Sequence, residues 1–180
     1  MKLTAGPFTV QKRFPLTISR GTTTATTNLW VRVEDEGIAG WGEAVPFSIG
    51  GGVEQPTEGL QEQLQAVIPQ LEQLTPLARS RIQSQLKTAN ISSAIRAAID
   101  VACYDWLGKR AGLPVWQLLG LDLSETVPIS VTIGISSPED GKKRLENWQS
   151  LTGGKRIKVK LGSPQGLAAD QMLFQTLQEN

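Results

Sequence analysis

The strongest constraint on this chain is the alternation of elements after Leu121. Val127-Pro128-Ile129-Ser130-Val131-Thr132-Ile133-Gly134 reads as a strand. Ser137-Pro138-Glu139-Asp140 opens a helix with proline at its first position, and Gly153-Gly154 closes it near Leu151. Arg156-Ile157-Lys158-Val159-Lys160-Leu161 reads as the next strand, Gly162-Ser163-Pro164 as a loop, and Leu167 to Gln178 as a last helix. Strand, helix, strand, helix implies parallel strands joined by crossover helices. Two such units cannot close a barrel or bury both faces of a parallel sheet, since a closed eight-unit barrel takes about 250 residues.

The residues before Leu121 have another texture. Phe8-Thr9-Val10 opens a strand, and Phe14 to Gly21, bracketed by Pro15 and Gly21, reads as a loop. Thr22 to Thr27 leads into the strand Leu29 to Glu34, and Asp35-Glu36-Gly37 turns the chain into a second strand, Ile38 to Ala44. Gly40 and Gly42 weaken that strand in isolation and predict close packing against a neighbour. Val45 to Gln55, with Pro46 and Gly50-Gly51-Gly52, is either a linker or a mobile flap over a ligand. Helical periodicity follows from Thr57, with Leu60, Leu64, Val67, Ile68 and Leu71 in phase, and more weakly from Leu77 to Leu86. The strongest helix runs from Ser93 to Arg110. Ser92 or Ser93 caps it, Ile95, Ile99, Ala102 and Trp106 form its apolar stripe, and Gly112 with Pro114 stops it. Asp100 and Asp105 lie off that stripe and read as structural or solvated.

Composition removes several function classes. The 180 residues carry 18 basic and 17 acidic side chains, a net charge of +1, which gives no electrostatic case for nucleic acid or a membrane surface. No histidine is present, which excludes a Ser-His-Asp triad and any histidine-bound zinc within these residues. The single cysteine, Cys103, has no internal disulfide partner and reads as a packed thiol of a reducing compartment. No apolar run has the length of a signal peptide or a membrane span, so the expected location is cytoplasmic.

In the strand Arg156 to Leu161, alternation puts Lys158 and Lys160 on one face and Ile157, Val159 and Leu161 on the other, with the lysine Cα atoms about 6.6 Å apart. One reading is a solvated edge, where lysines also discourage strand pairing between molecules. The other is chemical: neighbouring ammonium groups repel, and a lysine so placed can act as a base near neutral pH.

Four stretches in order decide between these readings: Gly40-Trp41-Gly42-Glu43-Ala44 with Pro46, the helix from Ala97-Ala98-Ile99-Asp100 through Tyr104-Asp105-Trp106, Gly112-Leu113-Pro114, and Lys158-Val159-Lys160. Together they resemble the enolase superfamily, in its muconate-lactonizing branch, across nearly the whole chain. The last of them is similar to that family's Lys-x-Lys on the second barrel strand. Arg20 and Thr132 look like positions of dipeptide epimerases such as the L-Ala-D/L-Glu enzyme.

The resemblance implies an α+β capping domain at 1–121, an antiparallel sheet plus helices, and then the first two strand-helix units of an incomplete (β/α) barrel at 122–180. Lys160 would be one of two acid/base catalysts acting on the proton α to a carboxylate or carbonyl, and Lys158 would support it and hold the substrate oxygen. Arg20 would pair with a substrate carboxylate, Thr132 would line the pocket, and the segment Ile18 to Gly21 would close over the substrate together with Phe47 to Gly52. Removing such a proton builds an enediolate, which this superfamily stabilises with Mg²⁺. The complete family enzyme is therefore expected to use Mg²⁺ on carboxylates of later barrel strands. Asp170 and Glu179, in or near the last helix, are not in strand-end positions, so this chain is expected to contain no metal ligands. By itself it is expected to be inactive.

The expected partner is a small dipeptide or related carboxylate, with no nucleic acid or membrane, and the protein is expected to be a homo-oligomer or to pack against the remaining barrel half. Muconate cycloisomerase, o-succinylbenzoate synthase and N-acylamino acid racemase share the cap and the lysines, so each is an alternative activity. A non-catalytic capping module is the alternative of another class.

Overall fold

Three strands lead the chain in a computed structural model that describes residues 1–46, 56–153 and 156–179. Strands β1 (Lys2–Ile18), β2 (Gly21–Asp35) and β3 (Ile38–Ala44) form one sheet in that order. β1 and β2 are joined by only Ser19 and Arg20, so they run as an antiparallel hairpin. β2 pairs antiparallel with β3, with Leu29 opposite Ala44 and Val33 opposite Gly40. The β2–β3 turn places both central residues at positive φ, Glu36 at 51° and Gly37 at 74°, the conformation of a tight primed turn.

β1 is longer than its sequence predicts. Phe14 to Ile18, read above as loop, continues the strand. Pro15 lacks a donor, but β1 is the edge of the sheet, and a strand edge tolerates proline where the missing N–H would face away from its neighbour.

Helices α1 (Thr57–Leu71), α2 (Arg79–Thr88) and α3 (Ser93–Ala111) follow, then the short α4 (Val115–Leu118). α3 begins where Ser92 Oγ accepts the Ile95 N–H at 3.5 Å and ends at Gly112, left-handed at φ 66°. The sheet and these helices enclose one core: Leu29, Val31 and Val33 from β2, Leu60, Leu64 and Leu71 from α1, Ile82 and Leu86 from α2, and Ile95 and Ile99 from α3. Each such side chain contributes about 1.5–3 kcal/mol by leaving water. Trp106 is fully buried, and its indole N–H finds a partner in the Asp35 carbonyl at 3.0 Å. Asp105 has a structural role, accepting from the Trp41 N–H at 2.8 Å and from Lys109 Nζ at 2.6 Å.

The remaining elements alternate: β4 (Ser130–Ile133), α5 (Pro138–Thr152), β5 (Arg156–Val159) and α6 (Leu167–Gln178). β4 and β5 are parallel, as the alternation predicts, with Thr132 opposite Lys158 and Ile133 opposite Val159. Val127 to Ile129, expected in β4, lie outside it, and Val127 and Ile129 are exposed. The ladder with β5 starts at Ser130, so among the described residues nothing pairs with that preceding stretch. α5 is capped by Ser137, whose Oγ accepts the Asp140 N–H, has Pro138 at its first turn, and ends at left-handed Gly153.

The chain divides into two compact units, Met1–Val10 with Thr26–Ser124 and Gln11–Ala25 with Glu125–Asn180. The tip of the β1–β2 hairpin thus belongs with the parallel strands. Phe47–Gly52, the loop expected to close over a ligand, lies outside the described residues, as does Gly154.

Candidate functional site

The five residues singled out from sequence, Ile18, Arg20, Thr132, Lys158 and Lys160, all fall in the second unit. Its two strands have distinct faces. Ile133, Ile157 and Val159 pack with Leu145, Trp148, Leu173 and Leu177 from α5 and α6. Alternation therefore turns Thr132 and Lys158, ladder partners on neighbouring parallel strands, to the face away from those helices. Lys160 lies one residue beyond β5, but its N–H donates to the Ile133 carbonyl at 2.9 Å. The ladder register thus continues through it and keeps Lys160 on the Lys158 side. Lys158 is exposed, while Lys160 and Thr132 are half-buried.

The hairpin turn is held at the same, C-terminal, end of these strands. The Ile135 N–H donates to the Thr17 carbonyl at 3.0 Å, and a Cβ on Gly134 would come within 2.9 Å of that oxygen. This contact seats Ile18, half-buried, beside the end of β4. On the β5 side, Gly162 has φ 99°, a left-handed conformation suited to glycine, and a Cβ there would lie 3.4 Å from the Ser19 Cβ. The Ser19–Arg20 turn thus meets the chain two residues after Lys160.

Asp170, in the first turn of α6, holds that same stretch. Its buried carboxylate accepts the Gly162 N–H at 2.8 Å and the Ser163 N–H at 3.1 Å. Asp170, not in a strand-end position for a metal, is an anchor for this loop. The available signal was an acidic residue in a helix first turn just after a Gly-Ser-Pro loop, where backbone donors and the helix dipole favour a carboxylate.

A cleft of about 390 Å³ opens between the loops after β4 and β5, with Thr17, Ile135 and Ser136 on one side and Ser163, Pro164 and Gln165 on the other. Neither Lys158 nor Lys160 lines it. Among the described residues, no group of three or more Cys, Asp or Glu side chains converges as a metal site. No helix among them is long and apolar enough to cross a membrane.

Residues 3–120 match the model of the mandelate racemase / muconate lactonizing enzyme N-terminal domain. The chain belongs to that family. It is 38% identical, over its full length, to a hydrophobic dipeptide epimerase of Flavobacteria bacterium MS024-2A, of which it spans 50%. It is 31% identical to the L-Ala-D/L-Glu epimerase of Bacteroides thetaiotaomicron over 90% of this chain and 41% of that one. Among solved structures, the dipeptide epimerase of Enterococcus faecalis V583, complexed with Mg and the dipeptide L-Leu-L-Tyr, superposes with a TM-score of 0.83 at 28% identity over 99% of this chain and 49% of that one. The family member thus has the expected enolase-superfamily architecture, a three-stranded antiparallel sheet with helices followed by parallel strand-helix units. It spans about half the length of the curated relatives it matches.

Proposed function

We propose that the whole protein is a dipeptide epimerase, with Lys160 as one of its two acid/base groups. The observation that carries this reading is the placement of the Lys158–Thr132 ladder pair and Lys160 at the strand ends where the hairpin turn is seated. The epimerase relatives support it.

In this reading Lys160 Nζ takes the proton from the α-carbon beside the substrate's terminal carboxylate, and a group on the opposite face returns one. Negative charge then builds on the carboxylate oxygens, and the Lys158 ammonium on the same strand face stabilises it. Arg20 pairs with a substrate carboxylate, while Thr132 and Ile18 line the pocket. In this reading the opposing base and the Mg²⁺ ligands belong to later barrel strands.

L-Ala-D/L-Glu is the first substrate proposed, because the Arg20 guanidinium suits the Glu side-chain carboxylate, which a hydrophobic dipeptide lacks. A hydrophobic dipeptide is the second, favoured by the relative matched over the full chain. The fully buried Cys103 thiol supports a cytoplasmic location. Exposed Leu161, Leu167, Met172 and Phe174 support packing of the second unit against further strand-helix units.

The test is deuterium exchange from D₂O into L-Ala-L-Glu and into a hydrophobic dipeptide, followed by NMR on the whole protein. Exchange into at least one is expected, with Lys160→Ala abolishing it and residues 1–180 alone giving none. Full exchange in Lys160→Ala sinks the assignment of the base.

A further inference from the structure

We propose that Arg144, with Phe14 and Trp148, is a positioning clamp that sets the β1–β2 hairpin turn against the strand ends, and so governs substrate capture. This rests on the epimerase reading for its effect on turnover, though not for the clamp itself.

The physical basis starts with Pro15. In an antiparallel strand the N–H and C=O of one residue point to the same side, so a residue with no N–H fits where that side faces away from the partner. Thr17, two residues on, shares that side. Both edge carbonyls are taken by the parallel strand-helix elements: Pro15 O by Arg144 Nη1 at 3.1 Å, and Thr17 O by the Ile135 N–H at 3.0 Å. The edge of β1 is therefore tied at two points, just before the turn that carries Ile18 and Arg20.

Arg144 makes a second contact with the same segment. Its guanidinium carbon lies 4.4 Å from the Phe14 ring centroid, within cation–π range. Phe14 in turn meets Trp148 edge-on, at 5.1 Å and 76°. The Trp148 indole N–H donates to the Thr132 carbonyl at 3.2 Å. One continuous set of contacts thus runs from the hairpin backbone through α5 to Thr132. Beside it opens a cavity of about 460 Å³, lined by Pro15, Thr17, Gly134, Asp140 and Asn147 among others. The hairpin is not pressed onto α5 by continuous packing there. Its orientation depends on these directional contacts, so losing one lets the turn sample positions in which Arg20 and Ile18 miss the substrate. A binding site competent for only part of the time lowers apparent affinity by that fraction and leaves bound-state chemistry intact.

Arg144→Met keeps an apolar stem over Phe14 and removes the guanidinium. In the whole protein we expect its KM for the dipeptide to rise about tenfold at unchanged kcat, the scale of one lost hydrogen bond from a charged donor. Arg144→Lys, which retains a cation and a donor, is expected to restore most of the affinity. The second readout is hydrogen exchange of the Ile135 amide, which should quicken in Arg144→Met and recover in Arg144→Lys. Unchanged Ile135 exchange in Arg144→Met overturns the clamp. A fall in kcat at constant KM overturns its assignment to substrate capture. Quickened exchange in a protein whose wild type turns over no dipeptide supports the clamp and removes the epimerase reading instead.

Discussion

Cys103 is fully buried inside α3, and its chemistry follows from that placement. Burial pushes its thiol from an ordinary 9.0 up to about 12, aided by the nearby Asp100 carboxylate and opposed by Arg79. The unfolded chain therefore ionises at Cys103 first as pH rises. The stability tied to the neutral thiol is fully present below pH 9 and is lost as pH climbs towards about 12. Replacing the thiol with a group that does not titrate removes this dependence. In urea unfolding at several pH values, Cys103→Ala should lose less stability than wild type between pH 9 and 11. Parallel pH curves for the two proteins would rule out the buried-thiol account. At neutral pH the native thiol should react with a disulfide reagent only through opening of the fold, because the thiolate is the nucleophile and here it is suppressed.

At the scale of elements, the contact between β3 and α3 depends on having no side chain at two positions. A Cβ on Gly42 would lie 2.0 Å from the Ala98 carbonyl oxygen, and one on Gly40 would lie 2.0 Å from that of Ala102. Both obstacles are helix backbone and cannot rotate away. Gly42→Ala must push strand and helix apart, with a predicted loss of about 3 kcal/mol or more in urea unfolding, at the upper end of overpacking costs. A wild-type midpoint in that variant would show that the strand and helix can separate cheaply. This packing was legible in the sequence, since two glycines in an otherwise good strand have few other uses. So were the ends of α3, because Ser92, Gly112 and Pro114 each act locally. The reach of β1 through Pro15 was not legible, because the cost of proline in a strand depends on whether the neighbouring edge is empty, which is a tertiary fact. For the same reason Val127 and Ile129 looked like strand residues but lack a ladder partner. Within the candidate site, alternation alone puts Lys158 and Lys160 on one face. Asp170 as loop anchor and Arg144 as a tie to Pro15 escaped notice, the second because 129 residues separate donor from acceptor.

For the molecule as a whole, the two units are unequally built. Among the described residues, eighteen buried side chains form one apolar core in the first, whereas four, Ile133, Leu145, Leu173 and Leu177, join in the second. Helices cover one face of the β4–β5 pair, while Lys158 on the other face is exposed, as are Leu161, Leu167, Met172 and Phe174. Local stability follows buried apolar contact, so the units should open at different free energies. In native-state hydrogen exchange of residues 1–180, amides of β4, β5, α5 and α6 should exchange at lower denaturant than those of α3. Equal protection across both units would refute this, and would mean that the small core unfolds only together with the large one. The same measurement on the whole protein bears on the proposed barrel. If further strand-helix units cover these residues, protection in β4 and β5 should rise towards that of α3, because burying each exposed Leu, Met or Phe contributes about 1.5–3 kcal/mol. Two cations facing a closed interior need opposing negative charge, which substrate carboxylates and the acids of later strands would supply in an epimerase.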